Sequence, residues 1–157
     1  MTYRACDRRI DSGVLLRLAV VVALAFALFT SCRTSVAPLT LPAGSFQFQP
    51  EPVYRAWWAQ METCSGRKAS FDAVTWYAIP GDRPFRVPGH NYDVVGYWDP
   101  ADNRIVLLQF LPDRRASYIR HEALHAIIRR LDHPGEYFLN RCYAVIHGPE
   151  NPDDSGP

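Results

Sequence analysis

The chain has almost no surplus of either charge: 17 lysines and arginines stand against 16 aspartates and glutamates, a formal net charge of +1 over 157 residues. A field able to gather a polyanion is therefore missing, and no nucleic acid is expected among the partners. Long hydrophobic runs are missing too. The longest unbroken one, LAVVVALAFALF at positions 18–29, has 12 residues, short of the ~20 that cross a bilayer as a helix. Cysteine is scarce, with four in the chain, and the use made of them depends on the compartment. No internal repeat is visible. What is present is a composition of 48% hydrophobic, 13% aromatic and 21% charged residues, the profile of a globular protein whose length suits one domain.

Arg4, Arg8, Arg9 and Arg17 precede the apolar run, which is the arrangement of an export signal. Phe-Thr-Ser-Cys follows at positions 29–32. Small residues before a cysteine resemble the lipobox of bacterial lipoproteins. The resemblance implies cleavage before Cys32, lipidation of its thiol, and a membrane lipoprotein anchored in the bacterial cell envelope; an uncleaved short anchor is the alternative. Residues 1–31 are then a signal peptide and Cys6 leaves with it. Cys64 and Cys142 remain as the only two free thiols in an oxidising compartment, so one disulfide between them is expected. The alternative is two separate buried thiols.

Residues 32–52 are rich in Pro, Ser and Thr without a sustained period and read as a flexible, lipid-anchored tether. From there to residue 147 the chain shows the patterns of a folded domain. Tyr54, Trp57, Trp58, Met61 and Cys64 recur at three- and four-residue steps before Ser65-Gly66, which predicts a short helix with an aromatic core face. Residues 73–79 predict a strand, 82–93 a loop, and 94–98 with 104–109 a hairpin around the turn-forming 99–103, giving a small antiparallel sheet. Asp113 is a possible cap for a helix over 116–131, which Asp132-His133-Pro134-Gly135 breaks. A further helix is expected over 136–146, and the tail 148–157 reads as disordered. The fold class is α+β.

The second of these helices contains His-Glu-Ala-Leu-His at 121–125. Four residues apart, His121 and His125 stand on one helical face and can reach one ion. Glu122 lies three residues before His125, beside that face, so its carboxylate can act on water at the ion without being a ligand. Neutral imidazoles holding zinc leave an open position, where water loses its proton near pH ~7 and a carboxylate can take it. Two histidines and a glutamate against an apolar stripe also need partners to offset desolvation, which argues against a mere packing role.

This motif resembles the active-site helix of the zincin metallopeptidases. The resemblance implies a small zincin-like domain, Zn2+ bound by His121 and His125, Glu122 as general base, and a peptide or protein substrate aligned by one strand of the 94–109 hairpin. The third ligand follows neither common pattern: Ile128 and Leu131 occupy the metzincin positions, and no glutamate lies near Val145 as in thermolysin-like enzymes. His133 is the first candidate, with Glu136 and His147 after it. A continuous helix would carry His133 ~12 Å beyond His125, so the chain has to turn back at His133-Pro134-Gly135. A histidine after a helix break with Tyr137 and Phe138 following is loosely similar to the SprT-like proteases. Tyr137, Tyr143, Tyr92 and His90 are the candidates for stabilising an oxyanion. The expected function is a lipid-anchored zinc peptidase. A lipoprotein with a purely structural zinc site, and a hydrolase of cell-wall peptide crosslinks, are the rivals.

Overall fold

The computed structural model describes residues 39–110 and 115–149. The expected signal peptide, Cys32, Asp113 and the chain beyond 149 lie outside them. In order, the elements are β1 (Phe46–Gln47), α1 (Pro52–Ser65), a 3-10 turn (Phe71–Ala73), β2 (Thr75–Ile79), β3 (Phe85–Arg86), β4 (Asp93–Val94), β5 (Gly96–Asp99), β6 (Arg104–Leu108), α2 (Arg115–Ile128), a π-helical turn (Glu136–Arg141) and α3 (Tyr143–Ile146). This is the expected α+β class.

Four strands form one sheet in the order β1-β2-β6-β5. The β5–β6 hairpin is antiparallel as expected, with Trp98 opposite Ile105 and Gly96 opposite Leu107. The sheet as a whole is mixed, which corrects the antiparallel expectation: β2 runs parallel to β6, Trp76 opposite Ile105. Alternation along the strands divides the core. Trp76, Trp98, Ile105 and Leu107 face α1 and α2, where they meet Trp57, Met61, Ile119, Leu124 and Ile127. Tyr97, Val106 and Leu108 face the other way onto Leu39, Phe85 and Val87.

Pro52 opens α1 where its missing N–H costs nothing. Gly66 closes it at φ 69°, a left-handed position, with its N–H donating to the Glu62 carbonyl at 2.9 Å. The disulfide is present: Cys64 at the end of α1 joins Cys142 just after the π-helical turn, 78 residues along the chain. Closing a loop of that length constrains the unfolded chain by about 4.5 kcal/mol in the entropic model.

Three further expectations change. The tether ends earlier, because Leu39 is in the core and Phe46–Gln47 pairs with β2. Buried Asp99 accepts the Leu39 N–H (3.0 Å), and Arg104 bonds both to Asp99 and to the Leu39 carbonyl. The predicted loop 82–93 contains a two-stranded ribbon, β3 with β4, closed by an Arg86–Asp93 ion pair at 2.7 Å. The last helical stretch is split into a π-helical turn, in which the Cys142 N–H reaches back five residues to the Tyr137 carbonyl (2.9 Å), and a short α-helix. Gly148 and Pro149 are also held, their carbonyls accepting hydrogen bonds from buried Arg120. No helix among the described residues is long and apolar enough to cross a membrane.

Candidate metal centre

His121 and His125 stand on adjacent turns of α2, above a stripe of buried Leu124 and Ile127. The helix stops at Ile128, three residues before the expected end. Arg129 takes a left-handed conformation (φ 58°) and reverses the chain. The reversal aims the Arg130 carbonyl at His125, whose Nδ1 lies 2.6 Å away. It also swings His133 back over the helix. The three Nε2 atoms converge, with separations of 2.9 Å (His121–His133), 3.2 Å (His121–His125) and 3.3 Å (His125–His133).

Those distances suit a shared ion. Tetrahedral nitrogen ligands at ~2.0–2.1 Å from zinc stand ~3.3–3.4 Å apart, so the shortest edge opens by about half an ångström. The protonation states agree. Donation from Nδ1 to the Arg130 carbonyl assigns His125 the tautomer with a bare Nε2. Burial, and then the neighbouring imidazoles, push His121 down to about 3. Burial pushes His125 down to about 4 against the opposing pull of the Arg130 carbonyl. His133 is also lowered, chiefly by burial. All three are neutral at pH 7, the form that ligates. The three histidines can therefore hold a metal ion.

Phe138 forms the floor. Its ring centroid lies 4.9, 4.7 and 4.7 Å from those of His121, His125 and His133. The π-helical turn that carries it is pinned at its end by the disulfide, so one covalent link restrains the packing beneath all three rings.

Glu122 turns from the histidine face toward β5. Its Oε2 accepts the Trp98 N–H at 2.8 Å, and burial raises its pKa to about 8 against that hydrogen bond. Gly96 makes the fit possible: a Cβ there would lie 3.1 Å from Glu122 Cγ and 3.3 Å from Oε1. Glu122 and the three histidines line one cleft of about 120 Å³, faced by His90, Tyr92 and Tyr97.

The other sequence candidates stand elsewhere. Exposed Glu136 accepts from Arg141 at 3.3 Å, and His147 contacts Ser117 Oγ at 3.4 Å; neither joins the three converging nitrogens. The Tyr137 hydroxyl accepts from Arg67, and the Tyr143 ring lies tilted against that of His147. Of the four oxyanion candidates, only His90 and Tyr92 line the cleft. Of the two hairpin strands, β6 is interior to the sheet, while β5 is an edge whose Trp98 N–H is already taken by Glu122. Sequence reasoning missed Gly96, the Trp98 N–H and the Arg130 carbonyl. Only the first left a signal: a glycine inside a strand marks a close approach.

Comparison with known proteins finds no family model, no curated protein and no solved structure that matches the chain. Fold and site together define a class: an α+β domain with a three-histidine cluster able to hold a metal ion, and a buried glutamate beside it.

Proposed function

We propose that the protein is a zinc-dependent peptidase, anchored by lipid on Cys32 in the cell envelope. The observation that carries this reading is the pairing of two things in one cleft: three neutral imidazole nitrogens within 3.3 Å of one another, and a glutamate that is not one of them. A site that only staples the domain needs no proton acceptor in the same cleft, and Glu122 has a second oxygen beyond the one that Trp98 engages. Three nitrogen donors with an open side suit zinc, which would supply Lewis acidity and lower the pKa of water toward ~7.

The chain's own groups supply the rest. Glu122 is raised to about 8 by burial without an ion; a cation at the histidines draws it back to the carboxylate form. Oε2 is tied to the Trp98 N–H, so Oε1, which has no hydrogen bond among the described residues, is the atom that takes a proton from water. The same atom returns it to the departing amine. Phe138 and the buried face of α2 keep bulk water from the far side of the imidazoles.

Replacing Glu122→Gln in the purified protein tests the reading. The variant is expected to retain about one zinc per chain by elemental analysis and to lose ~10²–10⁴-fold in hydrolysis of unfolded casein or a peptide library. A zinc-loaded wild type that cleaves neither would leave a structural site, and the peptidase reading would fall.

A further inference from the structure

The cleft that the three histidines line carries a further imidazole whose ring nitrogens make no hydrogen bond among the described residues. β3 and β4 bring residues 87–92 into a tight turn, with Gly89 at φ 85°. The His90 N–H donates to the Val87 carbonyl at 3.0 Å, and Arg86, paired to Asp93, donates to the His90 carbonyl at 3.5 Å. The backbone of His90 is thus held from both sides. Its ring is held too, edge-on to Tyr92 (5.3 Å) and to buried Tyr97 (5.6 Å). Neither ring nitrogen has a hydrogen-bond partner among the described residues, and the ring lines the cleft. It is not one of the three converging nitrogens.

A surface imidazole satisfied by solvent needs no such framing. We infer that His90 is the cleft's hydrogen-bond donor to a ligand oxygen held over the three-histidine centre. This rests on the peptidase reading for its catalytic meaning. On a peptide, the oxygen is that of the carbonyl under attack, which becomes negative as water adds to the carbon. His90 donates a hydrogen bond and keeps its proton throughout; when the C–N bond breaks, the oxygen returns to a carbonyl and the amine leaves with the proton Glu122 carried. A donor aimed at a developing charge in a water-poor cleft is worth ~10²–10³ in kcat. The Tyr92 hydroxyl is a weaker candidate, because the residue is 53% exposed and its backbone carries no comparable clamp.

The test reads binding as well as rate. The full protein, loaded with cobalt(II), is titrated with acetohydroxamate, whose carbonyl oxygen stands in for that of a peptide, and followed by its visible spectrum. His90→Phe is expected to weaken acetohydroxamate about tenfold or more while leaving the resting cobalt spectrum unchanged. His90→Gln, which keeps an N–H donor, should recover part of the loss. With zinc and a cleaved peptide, His90→Phe lowers kcat more than it changes KM. Unchanged acetohydroxamate binding in a folded His90→Phe protein overturns the assignment, as does a wild type that does not bind the probe. A changed resting spectrum overturns it as well, by making His90 a ligand. If the wild type binds acetohydroxamate but cleaves no peptide, the peptidase reading fails while the donor assignment is still decided.

Discussion

The two walls of the cleft are built differently. The wall carrying His121, His125 and His133 grows out of the core: Ala123 and Leu124 are essentially inaccessible, Phe138 lies under all three rings, and a disulfide ends the turn that bears it. The wall carrying His90 is a ribbon of two-residue strands that reaches the second core cluster through Phe85 and Val87 and carries one half-exposed ion pair, the kind worth at most ~1 kcal/mol. Holding an ion demands three nitrogens fixed together, whereas presenting one donor demands only that a single ring be framed, which two hydrogen bonds and two aromatic contacts do for His90. On the peptidase reading, affinity for the ion and contact with the ligand would then belong to separable parts of the chain.

The largest effect should come from breaking the heavy wall. His133→Ala is expected to weaken metal binding about a hundredfold or more, and Glu136→Ala to leave it unchanged, as competition against a chromogenic chelator would show. A tight site in His133→Ala would mean that another group completes the set. Reduction of Cys64–Cys142 comes next. It should cost ~2–5 kcal/mol in denaturant unfolding and loosen the metal roughly tenfold by freeing Phe138. Because the ribbon has no covalent tie to that link, unaltered metal affinity after reduction would erase the distinction between the walls.

The smallest effect sharpens the comparison through pH, in the metal-free protein. His121 and His125, at about 3 and about 4 when folded, gain protons near 6.5 when unfolded, so stability falls as the pH drops below 6.5. Glu122, at about 8 when folded and 4.5 when unfolded, acts in the opposite sense: its contribution is complete below 4.5 and is lost as the pH rises through 8. Two groups outweigh one below their midpoint, which places the maximum of unfolding free energy near pH ~6.5. Denaturant midpoints measured from pH 5 to 8.5 check this, and a monotonic profile would contradict the burial of these three side chains.

Much of this wall was legible in the sequence because it is local. The spacing of His121, Glu122 and His125 requires only a helix, and the need for His133 to return follows from helical rise and Pro134. The disulfide followed from counting the thiols left after an exported Cys32. What escaped was non-local or unmarked. Parallel pairing of β2 with β6 depends on a long connection that periodicity cannot see. The end of α2 at Arg129 lacks the glycine that usually signals a left-handed stop. The residues 39–48 looked like linker because Leu39, Phe46 and Phe48 are dispersed among prolines, although each meets a different part of the sheet.

The capture of Leu39 by Asp99 and Arg104 also ties the start of the described chain to the β5–β6 turn. A pull on the chain ahead of Leu39 would therefore load the sheet at the β5–β6 turn rather than peel away a loose end.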